Sequence, residues 1–406
     1  MPDQTLRVAL FSGNYNYVTD GAAVAQNRLI DYLERQGIES LVFSPTTDPP
    51  AFEPAGTVVP VPSIGFPGRA EYRVGLGLPR AQRERLKAFR PTLMHLAAPD
   101  LIGYAARRLA RKWDVPLVAS FHTRYDTYFR YYHMGWLEST VTRYLRHFYA
   151  ACEQIYVPSE STAEVLREQR MAKDIRIWSR GVDADRFNPG RRDLEWRRAL
   201  GIGDGEPVVA FVGRLVLEKG MASFAETVDG LRQRGIAHRV MVVGDGPERD
   251  RFRGMLPGDA VFTGYLEGEA LARAYASAEI FLNPSVTETF GIVTLEAMAS
   301  GLPAVCADAT GSRSLVRHGE TGFLVRPGDA AGYIDAVGRL ASDPALRGRM
   351  GAAAQQATRR YTWDAVIEAL VVQYREVLEG WRTPAAEGAA SGGAGRGRLM
   401  DDAALT

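Results

Sequence analysis

Short runs of β-branched and apolar residues alternate with longer amphipathic stretches along most of the chain, and the alternation starts afresh in the second half. Strands separated by helix-length segments pair in parallel, and the intervening helices cover both faces of an open sheet. In the first half the strand candidates are LRVALF from Leu6, SLVFS from Ser40, LMHL from Leu93, PLVAS from Pro116 and QIYVPS from Gln154. The second half offers PVVAFVG from Pro207, RVMVVGDG from Arg239, AVFTG from Ala260, EIFLNP from Glu279 and PAVCAD from Pro303. The pattern predicts an α/β protein of two doubly wound, Rossmann-like domains, which suits a length of 406 residues.

Glycine and charge cluster in RGVDADRFNPGRRDLEWRRALGIGDGEP, Arg180 to Pro207, so a first domain is expected over 1–200 and a second over 201–361. An amphipathic helix over 362–382 has no strand after it and is free to pack on either domain. The tail 383–406 is rich in Gly, Ala, Ser and Arg and too poor in apolar groups to order itself, so disorder is expected there.

Lysine plus arginine number 49 and aspartate plus glutamate 48, so no whole-chain field recruits nucleic acid, and any basic surface must be local. Two cysteines, Cys152 and Cys306, cannot build a disulfide framework and read as inert core thiols of a reducing compartment. The segment Met1–Gly13 lacks the features of a signal peptide, and no apolar run reaches the roughly 18 residues of a membrane span. The expected setting is the cytoplasm, with peripheral attachment to the inner face of the membrane as an extension.

The most informative stretch is NPSVTETFGIVTLEAMASGLP, Asn283 to Pro303, which leaves a strand and enters a helix with two carboxylates eight residues apart. A helix beginning near Gly291 aims the free amides of Gly291, Ile292 and Val293 beyond the sheet edge, where they make an anion site. Glu288 then stands at the front of the pocket, and Glu296, nearly two turns in, reaches a hydroxyl-bearing group such as a ribose. In VGRLVLEKG a strand delivers Arg214 and Lys219 to the strand-end crevice where ligands of open α/β sheets bind. Two cations on one loop suit a diphosphate. GDGPE, Gly244 to Glu248, fails the G-x-G-x-x-G pattern and reads as a tight strand-to-helix turn.

In the first half, Gly21 lies between the first strand and first helix, where a bare backbone can approach a bound group. His122 follows the strand PLVAS directly. The six histidines show no ligand spacing, so no metal site is expected, and Asp183-Ala184-Asp185 reads as structural rather than as a metal-binding DxD. From Leu101 to Ala150 eight basic side chains face three acidic ones, interleaved with many aromatics. That mixture suits an anionic membrane interface or a sugar-stacking surface as well as it suits an ordinary helix core.

Taken together, ETFGIVTLE, VGRLVLEKG and RGVDADRFNP resemble the retaining nucleotide-sugar glycosyltransferases of family 4, whose fold is GT-B, two Rossmann-like domains facing across a cleft. The resemblance spans Leu6 to about Trp381, and the N-terminal half looks most like bacterial mannosyl- and glycolipid-forming members. It implies that Glu288 contacts the donor sugar, that Glu296 contacts the ribose, and that Arg214 and Lys219 neutralise the leaving diphosphate. It also places His122 near the transferred sugar. Many members carry two adjacent glycines in the first loop where this chain has Asp20-Gly21-Ala22. The implied activity is transfer of a hexosyl group, mannosyl first, from a nucleotide-sugar to a lipid or glycan hydroxyl, with no cofactor beyond the donor and no metal. The alternatives are a nucleotide-sugar epimerase or hydrolase on the same fold and a non-catalytic sugar- or lipid-binding protein.

Overall fold

A computed structural model describes residues 5–66, 69–122 and 138–382. The expected disordered tail and most of the Tyr-rich segment that follows His122 lie outside the described residues. Nine strands belong to the first part of the chain: β1 (Arg7–Phe11), β2 (Glu39–Ser44), β3 (Val58–Pro60), β4 (Ser63–Phe66), β5 (Arg69–Gly75), β6 (Leu93–Leu96), β7 (Leu117–Ser120), β8 (Gln154–Val157) and β9 (Ile175–Ile177). Seven of them form one parallel sheet in the order β3-β2-β1-β6-β7-β8-β9, and β4 and β5 pair as an antiparallel hairpin. The second sheet holds β10 (Val208–Val212), β11 (Arg239–Val243), β12 (Val261–Gly264), β13 (Ile280–Asn283), β14 (Ala304–Ala307) and β15 (Gly322–Val325). Its order is β12-β11-β10-β13-β14-β15, again all parallel.

Each sheet reverses its winding once, between β1 and β6 and between β10 and β13. The loops leaving the strands at these two points open a crevice outside the carboxyl ends, the place where such sheets take ligands. The central strands are buried on both faces, so they read as continuous apolar runs rather than as alternating ones.

The chain crosses between the domains at Arg180–Val182 and returns at Tyr361–Trp363. The two crossings lie side by side: the Val182 amide donates to the Tyr361 carbonyl at 2.7 Å, and a Cβ on Gly181 would stand 2.5 Å from Trp363 Cα. The crossing lies upstream of the boundary expected at residue 200. Val182, Phe187 and Ile202 pack in one core with Val208, Ala210 and Phe281 of the second domain. Arg197, fully buried, pairs with Glu279 at 3.0 Å and donates to the carbonyls of Ser277, Gly203 and Glu206. Of the charges clustered in this stretch, Arg197 is turned inward onto Glu279 and backbone carbonyls rather than toward solvent. In the same stretch Asp183 Oδ1 accepts from the Arg186 amide at 3.1 Å, closing a turn.

The last helix, Trp363–Arg382, crosses back to the first domain. Val366, Ile367, Leu370, Val371, Tyr374, Val377 and Leu378 form a stripe on one face that packs against Leu6, Val8, Leu29 and Leu33. Arg35 of the first helix, Gly21–Arg35, closes the contact with an ion pair to Asp364 at 2.7 Å. Cys152 and Cys306 are free and buried, and burial pushes both thiols up to about 12.

Candidate active site

The second domain supplies two loops, Gly213–Gly220 after β10 and Pro284–Gly291 after β13, on either side of its switch point. Lys219 ends the one-turn helix Leu217–Lys219, and its ammonium forms an ion pair with Glu288 across the two loops. Arg214 starts the first loop, is exposed and makes no ion pair among the described residues. Gly291, at φ +93°, caps the helix Ile292–Ala299 in a left-handed conformation that an L side chain rarely adopts. The helix therefore begins where the sequence placed it, with the amides of its first turn directed outward. The GDGPE turn lies alongside: the Leu215 amide donates to the Asp245 carbonyl at 3.0 Å.

Glu296 projects from the second turn of this helix, half-buried, and its Oε2 accepts from the Tyr275 hydroxyl at 3.2 Å. Burial raises its carboxyl to about 7, against the opposing pull of the Tyr275 hydrogen bond. The group is thus at its strongest as an acceptor for a hydroxyl when it is ionised, near or above neutral, and keeps only its weaker carbonyl oxygen below that.

From the first domain, Gly21 comes against the helix Ile292–Ala299 itself: a Cβ there would stand 2.9 Å from Ile292 Cδ1. Its predecessor Asp20 caps the first helix, taking the amides of Ala22 and Ala23 at 2.9 and 2.8 Å and the Asn14 side-chain amide at 2.9 Å. A carboxylate already occupies that helix N-terminus. Among the described residues of these loops, Arg214, Lys219 and the first turn of Ile292–Ala299 are positive groups available to an anion.

His122 follows β7 at the facing wall. Its Nε2 lies 2.8 Å from Ser120 Oγ and its Nδ1 2.6 Å from Arg180 Nη2, with the ring edge-on to Trp178. Burial, Arg180 and His95 hold its pKa well below the ordinary range, so the ring is neutral. Its main-chain carbonyl turns to the other domain and accepts from Thr289 Oγ1 at 3.2 Å.

The sequence did not single out Thr289, yet it joins the two walls. Its carbonyl accepts from Ser159 Oγ at 2.7 Å and Thr162 Oγ1 at 2.9 Å, both at the start of the first-domain helix Glu160–Glu168. Beside it, Ser161 Oγ meets Ser314 Oγ at 3.0 Å and accepts from the Gly311 amide at 3.0 Å. A Ser/Thr cluster before a helix signals a cap, and nothing in its spacing announces that the same hydroxyls reach another domain.

Among the described residues, Lys219 meets Glu288, Gly21 meets Ile292 at the helix start beside Gly291, and His122 meets the intervening loop through Thr289. Val293 follows in the same helical turn, and Glu296 sits farther along the helix with Tyr275. No group of three or more His, Cys, Asp or Glu among the described residues is arranged to hold a metal ion. Of the aromatics in the basic stretch, Phe121, Phe148 and Tyr149 are core residues, whereas Tyr144 is 42% exposed. Tyr125, Tyr128, Phe129, Tyr131, Tyr132 and Trp136 fall outside the described residues.

Residues 19–186 match the family model described as Glycosyltransferase Family 4, and residues 206–343 match that of Glycosyl transferases group 1. Over 381 residues, 92% of this chain and 98% of the relative, the sequence is 36% identical to a GDP-mannose-dependent alpha-mannosyltransferase of Mycolicibacterium smegmatis. The chain belongs to glycosyltransferase family 4. A sulfoquinovosyl transferase of Arabidopsis thaliana is 33% identical over 93% of this chain and 75% of its own length. Among solved structures, sucrose-phosphate synthase of Thermosynechococcus elongatus superposes with a TM-score of 0.74 at 21% identity, over 92% of this chain and all of that one. The fold of this family 4 glycosyltransferase is GT-B, and the two walls of its cleft are the two strand-end crevices described above.

Proposed function

We propose that this glycosyltransferase moves a hexosyl group, mannosyl first, from a nucleoside diphosphate sugar to a hydroxyl on a lipid or glycan, with retention at the anomeric carbon and without a metal. The observation that carries this reading is the convergence of Lys219, Glu288 and the first turn of Ile292–Ala299 at one switch point, opposite His122. The mannosyltransferase relative, named for its GDP-mannose dependence, supports GDP-mannose as the first donor to try.

The chemistry follows from charge. As the bond from the anomeric carbon to the diphosphate oxygen breaks, negative charge grows on the diphosphate, and Arg214, Lys219 and the helix amides stabilise it. Glu288 contacts the sugar, and the Glu296 carboxylate accepts from a ribose hydroxyl. The acceptor oxygen bonds to the same face of the anomeric carbon, and its proton passes to the departing diphosphate. Two cations and a helix N-terminus supply the neutralisation that other sites obtain from a divalent ion.

The test incubates the full chain with GDP-, UDP- and ADP-sugars, with and without membrane lipid extract, and follows nucleoside diphosphate release, product mass and anomeric configuration. The expected outcome is release that depends on acceptor, a product heavier by one hexose with the donor's anomeric configuration, and activity that survives excess chelator. Release without acceptor would favour a hydrolase, an isomeric nucleotide-sugar an epimerase, and binding without turnover a sugar- or lipid-binding role. Activity lost to chelator and restored by Mg²⁺ or Mn²⁺ would overturn the metal-free reading.

A further inference from the structure

Arg180 is 4% exposed and meets no carboxylate among the described residues. Its Nη1 donates to the carbonyls of Trp178 and Ser179 at 2.9 and 3.3 Å, its guanidinium lies 5.1 Å from the Trp178 ring centre, and its Nη2 faces His122 Nδ1 at 2.6 Å. Burying an arginine without a counter-charge is costly, and stability alone gives no reason to keep it.

What it does is set the state of a ring. A guanidinium has five N–H donors and no acceptor, so the nitrogen it faces must offer a lone pair. His122 Nδ1 is therefore unprotonated, and the proton of the neutral ring sits on Nε2, which donates to Ser120 Oγ at 2.8 Å. Turning the ring over would set carbon against both partners, so the two contacts fix its orientation as well. Ser120 Oγ is in turn held by His95 Nε2 at 3.0 Å, and His95 Nδ1 by the hydroxyl of Tyr374 at 2.5 Å, all in the buried interior. The chain thus begins on the outgoing crossing segment, passes through the wall of the cleft and ends on the returning helix.

We propose that Arg180 is a positioning residue that locks His122 as the neutral, Nε2-protonated ring, so that His122 serves the reaction as an oriented wall and neither takes nor gives a proton. The kinetic consequence rests on the glycosyl-transfer reading; the tautomer does not.

Nitrogen-15 NMR of the labelled full chain reads the tautomer directly from the two ring shifts, with the His122 signals identified by their loss in His122→Gln. The wild type should show neutral His122 protonated at Nε2, and Arg180→Met should show a mixture or the Nδ1-protonated form. In the assay with donor and acceptor, Arg180→Met should lower kcat on the order of tenfold or more, about 1.4 kcal/mol in barrier, while KM for donor stays within a few-fold. Arg180→Lys, which keeps a charged donor, should recover part of both. Should Arg180→Met fail to fold, Ser120→Ala removes the other partner, and His122 should keep its proton on Nε2 because Arg180 still claims Nδ1. A charged or Nδ1-protonated His122 in the wild type, an Arg180→Met spectrum unchanged from wild type, or a changed tautomer in Ser120→Ala would each overturn the proposal. An inactive wild type that shows the expected tautomers would instead count against glycosyl transfer and leave the role of Arg180 standing.

Discussion

Lys219 and Arg214 differ in what they do before any substrate arrives. Lys219 is held by Glu288, whereas Arg214 is exposed and meets no carboxylate among the described residues. If both act, as proposed, on charge that grows in the transition state, Lys219→Ala and Arg214→Ala should each lower kcat by about 10² to 10³, roughly 3 kcal/mol. Arg214→Ala should leave the melting temperature unchanged, since no ion-pair partner among the described residues is lost. Near-normal turnover in both variants would remove the diphosphate from this loop. Glu296 carries a pH signature. Its folded pKa is raised by burial to about 7 from 4.5, so its carboxylate form is the one the fold disfavours. Native stability should therefore fall as pH rises from about 4.5 through 7, and Glu296→Gln should be the more stable protein at pH 8 by about 3 kcal/mol, with the gap narrowing toward pH 5. Donor affinity should run the other way, weakening below pH 7 in the wild type as the ribose exchanges a charged acceptor for a neutral one, and staying flat with pH in Glu296→Gln. Titration calorimetry and thermal melts across pH 5 to 8 separate the two effects.

At the scale of elements, the loop Pro284–Gly291 and the helix Glu160–Glu168 form one device across the cleft, with Thr289 as its centre. Thr289→Val keeps the shape and the carbonyl that Ser159 and Thr162 hold, and removes only the donor to His122. It should lower kcat about three- to tenfold with donor affinity unchanged, on the scale of one lost hydrogen bond, and Thr289→Ser should restore it. Equal loss in the serine variant would point to packing by the methyl group instead. Such a contact was not legible in the sequence, because hydroxyls before a helix read equally well as local caps. The strands show the same contrast. Every strand expected from an apolar run is present, since runs buried on both faces carry their own signal. The strands that escaped notice were β3 and β9, three residues each at the sheet edge, β15, and the β4–β5 hairpin, whose Arg69-Ala-Glu-Tyr-Arg73 stretch looks like a charged surface. Glu288, Glu296, Lys219 and Gly291 were legible because a strand end, a loop length and a helix start fix where they go. Arg180 and Arg197 were not, because an arginine is by default a solvated charge and only the folded chain shows what it is buried against.

At the scale of the molecule, a nearly neutral chain carries a run of exposed basic side chains on its first domain, with Glu84 among them, and the proposed lipid acceptor would be met there. The helix Arg80–Phe89 buries only Leu86, so Arg80, Arg83, Arg85 and Lys87, with Arg90 just beyond, contribute little to the core and stand in solvent. None of the five makes an ion pair among the described residues. The same domain exposes Ile64, Leu76 and Leu101 by half or more, and Leu101 opens the helix Leu101–Trp113, whose far end adds exposed Arg108, Arg111 and Lys112. No helix among the described residues is long and apolar enough to cross a membrane. Attachment by these side chains would be Coulombic first and apolar second. Each basic side chain near an anionic leaflet contributes about 1 kcal/mol, so four engaged together suffice to hold the protein there. Salt should release it, because charges separated by more than a Debye length of about 8 Å at physiological ionic strength are screened. In co-sedimentation with vesicles, binding is expected to anionic lipid at low salt, to fall several-fold at high salt, and to be absent with neutral lipid. Arg83→Glu combined with Lys87→Glu, one turn apart on the same face, should abolish it without lowering turnover on a water-soluble acceptor. Binding that ignores lipid charge, or none at low salt, would move the acceptor from the membrane to a soluble glycan.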